Sequence, residues 1–361
     1  MSTQAETAIR QIFETLGGFT VMSTAPTKAD KGIDLLDRAK SDRGADIVMA
    51  VEAKSRITPQ IAIPTFEEMR ATSRKRMPVL YSPVVSDRVA QIAKEHGISF
   101  VDGAGNCFLR SPNDAVLIER TGLKGKRRKT KRIVSLFAPK ASRVIRVMLQ
   151  NPAKGWRVRE LAAHPDVKVS PGMAQKVKSG LMEEGYAVPH DRKIFLRDPL
   201  GLLQNWKEHY RGPSRTLNLY VRGDVLKAEK SMAAWCKKNE IQWALGGLSA
   251  AWRLAPEVRY SVGSVYIEDR AFQPSILDTL FASGVKQVES GANLRIWQAY
   301  DDGVFANHKT YDGLRVTSAI QTYLDVSKLA GRGEEAAEAV FAKHLRRSLT
   351  DAVEMIKELP T

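Results

Sequence analysis

The sequence predicts a multidomain α/β protein with a short helical module at its centre, on three observations. At 361 residues the chain exceeds what one hydrophobic core usually organises. Apolar, β-branched runs alternate with amphipathic stretches in its first and last thirds, the pattern of sheets covered by helices. The basic excess lies almost wholly between those thirds.

The first third opens with a helix over 7–16, ended by Gly17-Gly18, and a short strand at 19–22. Residues 47–53 and 78–85 are mostly apolar runs, as expected of strands covered on both faces. Ser86 caps a helix through Glu95 that buries Val89, Ile92 and Ala93, with Gly97 at its C′ position. Strands at 98–101 and 115–118 follow, the first leading into the turn Asp102-Gly103-Ala104-Gly105-Asn106. Residues 124–132 then hold seven basic residues in nine, a density of like charge that favours an extended linker. The expected domains are an α/β domain over 1–122, a basic linker over 123–139, a winged helix-turn-helix over 140–212 and a C-terminal α/β domain over 213–361.

The central module has its own rhythm. A helix over 142–150 buries Val144, Ile145, Met148 and Leu149, and Asn151-Pro152 stops it. Trp156-Arg157-Val158 forms a short edge strand and 159–163 a brief second helix. Ser170 caps the third helix with Pro171 at N1, where its missing N–H costs nothing. That helix turns Met173, Val177 and Leu181 inward and Gln175, Lys176, Lys178 and Ser179 outward. A hairpin around 189–192 makes the wing, and Asp198-Pro199 starts a further helix.

The final third is expected to hold strands at 216–221, 262–267 and 294–300 and helices at 227–239, 248–254, 274–282 and 319–328. A last helix over 334–359 carries Ala337, Val340, Phe341, His344, Leu345, Leu349, Val353 and Ile356 at i, i+3, i+4 spacing, a stripe suited to core packing or a homodimer contact.

Composition narrows the function. Cys107 and Cys236 alone cannot build a disulfide framework, and no segment nears the length of a membrane span or resembles a leader, so a cytoplasmic protein without membrane contact is expected. The formal charge of +16 resolves into +1 over 1–120, +15 over 121–215 and zero over 216–361. A localised excess is the footprint of a nucleic-acid partner, and the expectation is that these cations converge on one face gripping double-stranded DNA. Gln175, Lys176 and Ser179 are expected to meet base edges, with Ser170 and Lys178 beside them. Arg192 and Lys193 at the wing tip, with Lys126, Arg127, Arg128, Lys129, Lys131 and Arg132 in the linker, supply phosphate contacts.

A second constellation is Asp46, Glu52 and Lys54, with Asp34 upstream. Glu-x-Lys places a carboxylate and an ammonium on one face of a strand, where Asp46 and Glu52 can hold Mg²⁺ and Lys54 can orient a water. The pattern resembles the PD-(D/E)xK nucleases, and it defines the alternative function: a Mg²⁺-dependent, restriction-endonuclease-like DNA nuclease targeted by the winged helix. A buried Glu–Lys ion pair is the structural alternative, and no cofactor is expected unless the nuclease reading holds. Further on, 244–249 resembles the Gly-Gly/Ser loop of nucleotidyltransferases, but Glu268-Asp269 puts its carboxylates on opposite strand faces, which does not suit catalysis. The histidines at 96, 164, 190, 209, 308 and 344 have neither zinc-ligand nor catalytic-triad spacing.

Taken in order, 51–54, 97–106, 244–251, 312–316, 321–325 and 331–338 resemble the AbiEi-type antitoxins of type IV toxin-antitoxin systems, in a longer branch with an added N-terminal α/β domain. The resemblance implies a transcriptional regulator that represses its own operon through the winged helix. It also implies a nucleotidyltransferase-like C-terminal domain opposing a nucleotidyltransferase-like toxin without a stable complex.

Overall fold

Two seven-stranded sheets carry the mixed α/β character of the chain. The structure, a computed structural model, describes residues 1–24, 32–42, 44–73, 75–112, 116–123 and 136–358. It forms two compact units, Met1–Ile133 with Met182–Gly185, and Val134–Leu181 with Tyr186–Thr361.

In the first unit α1 (Ser2–Leu16) precedes β1 (Phe19–Thr24), β2 (Leu35–Ser41) and β3 (Asp46–Ala53). Then come α2 (Pro59–Ser73), β4 (Met77–Ser82), α3 (Asp87–Glu95), β5 (Ser99–Asp102), β6 (Cys107–Arg110) and β7 (Leu117–Arg120). The strands lie in sequence order: β1-β2-β3 is an antiparallel meander, β3-β4-β5 is parallel, and β5-β6-β7 is antiparallel again. Parallel neighbours need crossovers, and α2 and α3 supply them. Ile9, Ile12 and Phe13 of α1 cover one face of the sheet with Met49, Val51 and Val79. Phe66, Ile92 and Ile98 cover the other with Leu80 and Phe100.

α2 is not among the elements expected from the sequence, and it contains two prolines, Pro59 and Pro64. Pro59 opens the helix, where no N–H is needed, and Pro64 lies inside it. Buried Ala62, Ile63, Phe66 and Met69 provide the packing that outweighs the lost hydrogen bond. The strand expected at 115–118 is observed at Leu117–Arg120, and Ala115 lies outside the described residues.

The second unit begins with α4 (Pro139–Gln150), α5 (Val158–Ala163) and α6 (Pro171–Glu183), a hairpin of β8 (Ala187–His190) and β9 (Lys193–Leu196), and α7 (Pro199–His209). Next are β10 (Thr216–Tyr220), α8 (Val225–Lys238), β11 (Trp243–Leu245), α9 (Gly247–Leu254), β12 (Gly263–Ile267), α10 (Pro274–Ala282), β13 (Lys286–Gln287) and β14 (Leu294–Gln298). The chain continues through β15 (Lys309–Tyr311), β16 (Leu314–Val316), α11 (Ala319–Val326), α12 (Gly333–His344) and α13 (Arg346–Lys357). Its large sheet is mixed, in the order β13-β10-β14-β12-β11-β16-β15. The single helix expected over 334–359 breaks at Leu345 (φ −120°), which lets the stripe turn inward: Ala337, Val340, Leu345 and Leu349 are core. Among the described residues no helix is long and apolar enough to cross a membrane.

One buried group in the first unit opposes folding at neutral pH. Asp37, on β2, is 1% exposed, and neither of its carboxylate oxygens has a hydrogen-bond partner at normal geometry. Burial pushes its carboxyl up, and the Ser23 hydroxyl opposite it on β1 offsets this only in part. A raised carboxyl stabilises the fold at low pH, and that contribution is lost as pH rises from the unfolded value through the folded one. Asp37→Asn keeps a polar group there but removes its buried charge, and is therefore expected to raise stability at pH 7 by on the order of 1 kcal/mol. The gain should shrink toward pH 4, so thermal melts at both pH values, with the variant less stable at pH 7, would refute the assignment.

Candidate functional site

The expected three helices and hairpin of the central module occur at their expected places. α6 buries Ala174, Val177, Gly180 and Leu181, so its inward face is centred on Ala174 and Val177 while Met173 is half-buried. Small residues permit this close seat: a methyl at Gly180 would lie 2.9 Å from the Leu136 side chain. The Ser170 hydroxyl accepts the Met173 N–H at 3.2 Å, capping the helix as expected. Ser170, Gln175, Lys176 and Ser179 are exposed and Lys178 is half-buried.

Trp156 extends the β8–β9 hairpin through a bridge to Ile194, with both backbone bonds at 2.9 Å. The Lys154 ammonium lies 3.7 Å from the Trp156 ring centroid and pairs with Glu160 at 2.6 Å. At the hairpin tip Asp191 and Arg192 both have positive φ, 44° and 58°, the two-residue turn whose twist matches the strands. The turn leaves Arg192 exposed and Lys193 half-buried. Exposed Arg159 on α5 and Lys168 in the following turn are further cations of this module that the sequence reading omits. Their signal was the local basic excess itself. Lys126, Arg127, Arg128, Lys129, Lys131 and Arg132 lie outside the described residues.

Two basic residues of α4 depart from the expectation of a single cationic face, because they turn into the second unit's interior. Arg143 forms a bidentate pair with Asp301 at 2.6 and 2.8 Å and reaches Asp302 at 3.3 Å. Arg146 is 1% exposed; it donates to Gln321 at 2.8 Å and to the Tyr300 hydroxyl at 3.1 Å, and stacks 5.0 Å from the Trp206 ring.

Gln321 hands this network to Asp325. Its amide and the hydroxyls of Tyr210 and Tyr266 all donate to one Asp325 oxygen, at 2.8, 2.6 and 2.8 Å. The Gly247 N–H at the start of α9 also faces this carboxylate. The Gly246-Gly247 loop is thus closed from within. A methyl at Gly246 would lie 2.8 Å from the Tyr266 ring, and one at Gly247, whose φ is +51°, 2.6 Å from Trp297. Glu268 is committed to Arg270 and the Gln242 N–H, and Asp269 to Gln298, so neither belongs to a paired carboxylate site.

In the first unit Asp46 is not brought to Glu52 and Lys54. It opens β3, six residues before Glu52, or about 20 Å along an extended strand, and pairs with Arg38. Asp34, upstream, is the aspartate that approaches this end of the strand: its carboxylate accepts the Ala53 N–H at 2.8 Å. Glu52 and Lys54 share a face and pair at 2.6 Å. Burial raises the Glu52 carboxyl, Lys54 pulls it back in part, and the charges of Asp34 and Glu68 add to the rise. Glu68 was not foreseen, since it belongs to the unpredicted α2. Among the described residues no group of three or more Asp, Glu, His or Cys side chains is placed to hold a metal ion.

Burial pushes the Asp325 carboxyl up to about 6, while the bonds from Tyr210, Tyr266 and Gln321 hold it down in part. An unfolded aspartate releases its proton near 4, so this group favours folding most below about pH 4 and loses that contribution as pH rises to about 6. Carbon-detected NMR titration of the Asp325 carboxyl is expected to give a midpoint near pH 6 in the folded chain. A midpoint at or below 4 would mean that hydrogen bonding, not burial, dominates.

No curated protein and no solved structure matches the chain. A family model does: residues 196–346, from the end of β9 to the start of α13, are similar to the family described as transcriptional regulator, AbiEi antitoxin, type IV TA system, which bears out the sequence resemblance over that stretch.

Proposed function

We propose that the protein is a sequence-specific, double-stranded-DNA-binding autorepressor that acts as the antitoxin of a type IV toxin-antitoxin system. In this reading α4–α6 with the β8–β9 hairpin is a winged helix-turn-helix, α6 lies in the major groove and the wing tip meets flanking phosphates. The carrying observation is the composition of the exposed face of α6, where Ser170, Gln175, Lys176 and Ser179 stand clear of the core with no carboxylate among them. The Gln175 amide and Ser179 hydroxyl lie 3.4 Å apart, a weak mutual contact that base edges can replace. The match over 196–346 supports the antitoxin role. As the family resemblance implies, the nucleotidyltransferase-like domain would counter its toxin without forming a stable complex.

Footprinting on the protein's own promoter tests repression. In gel shifts, Lys176→Ala is expected to weaken operator binding and to lower the slope of log affinity against log salt by about 0.9 if one phosphate contact is lost. Arg192→Gly is expected to do the same while leaving the melting temperature unchanged or higher, because glycine relieves the positive φ. Unchanged affinity in both variants would remove this face from the interface.

The αβββαβ order of α1 to β4, with Asp34, Glu52 and Lys54 at one end, supports a PD-(D/E)xK-like fold for the first unit. We read it as one that does not cut, because Lys54 is committed to Glu52 and Asp46 is remote. Supercoiled plasmid incubated with the chain and Mg²⁺ is expected to stay intact. Nicking that Glu52→Ala abolishes would establish the nuclease instead.

A further inference from the structure

Residues 216–361 contain equal numbers of basic and acidic residues, 18 of each, so a cluster of cations there reflects placement, not composition. The outward face of α8 is Leu226, Lys227, Lys230, Ser231, Ala234, Lys237 and Lys238, all exposed and spaced as one helical stripe. The helix's one acid, Glu229, is fully buried and held by Arg253 at 2.7 Å and Tyr260 at 2.9 Å, so it does not neutralise this face. Asp224, just before the helix, caps it by accepting the Lys227 N–H at 2.8 Å, and the exposed Glu240 lies two residues beyond Lys238. Among the described residues none of the four lysines makes an ion pair. Exposed Tyr220 and Arg222 precede the helix, and Lys286 faces Tyr220 across the β10–β13 ladder.

Beside this face runs a groove of about 380 Å³. Arg222, Lys227, Ser231, Met232, Trp235 and Leu280 are among the residues that line it, so cationic and apolar groups share the groove. A ligand that satisfies both parts carries repeated negative charge along about 16 Å of helix and a flat, largely apolar group beside one of those charges. Duplex DNA presents the charge but keeps its bases stacked inside, whereas a single strand presents phosphates and free bases together.

We propose that the α8 face and its groove bind single-stranded nucleic acid, with a base in the groove, its phosphate on Arg222 and Lys227, and the following phosphates along Lys230, Lys237 and Lys238. This surface is separate from α6 and does not depend on the operator-binding reading.

Fluorescence anisotropy of the full chain with a short labelled uridine oligonucleotide tests it, with a thymidine oligonucleotide to distinguish RNA from DNA strands. Arg222→Ala/Lys227→Ala/Lys230→Ala is expected to raise Kd about tenfold or more and to lower the salt slope by about 0.7 per lost contact. Ser231→Trp, which fills the groove at constant charge, should raise Kd several-fold. Lys176→Ala/Arg192→Gly, which removes cations from the duplex-binding face, should raise Kd much less than the triple variant does, and none of the three variants should melt below the natural chain. The proposal is overturned by unchanged binding in the triple variant, by loss confined to the α6 variant, or by a Ser231→Trp chain that binds as tightly as the natural one.

Discussion

The second unit depends on where one negative charge is placed. The Asp325 carboxylate is 3% exposed and faces the first N–H of α9, with two tyrosine hydroxyls and an amide directed at the same oxygen. A helix N-terminus attracts an anion because its first N–H groups have no partner within the helix. Gly-rich loops that enter helices elsewhere use this to seat a ligand's phosphate. Here the protein supplies the anion itself, and the rings of Tyr266 and Trp297 fill the space around the loop. The loop has thereby become part of the core.

The same carboxylate anchors the central module. Gln321 receives Arg146 on one side and reaches Asp325 on the other, so a guanidinium on α4 and a carboxylate on α11 meet through one amide. Arg143 and Asp301 make a second, direct pair between α4 and the turn after β14. A buried pair adds little net stability once desolvation is counted, but breaking one leaves an uncompensated charge. The gain is in orientation, since α4 has one rotational setting that satisfies both arginines. α4 packs against α5, so that setting also bears on the frame from which α6 and the β8–β9 hairpin project.

Local periodicity made much of this legible. α4, α6 and the hairpin could be read because each has a clean apolar face and strong punctuation at Pro171, Gly185 and Asp198. α2 could not, because Pro64 breaks the local rule and only Phe66 and Met69 packing against β4 and α3 restores it. β2 was missed because Asp37 and Arg38 interrupt its alternation, and the buried Asp37 has no local signature. Asp34 rather than Asp46 approaches Glu52 because the β2–β3 register pairs Leu35 with Val51, which no spacing along one strand can reveal. The Arg146–Gln321–Asp325 node was illegible for a related reason. Its members are separated by most of the second unit's length, and Arg146 looked like one more cation in a basic stretch.

Of the stretches in the last third that carry the antitoxin resemblance, 244–251 and 321–325 build this node, while 312–316 and 331–338 also include exposed residues such as Asp312, Arg332 and Glu334. Ala244, Leu245, Ser249 and Ala250 are buried, and so are Gln321 to Asp325. Residues of this kind answer to packing and hydrogen-bond geometry, which tolerate few substitutions. Exposed side chains such as Gln175, Lys176 and Arg192 answer only to whatever they touch. Within 244–251 and 321–325 the likeness therefore reflects the scaffold that orients the module.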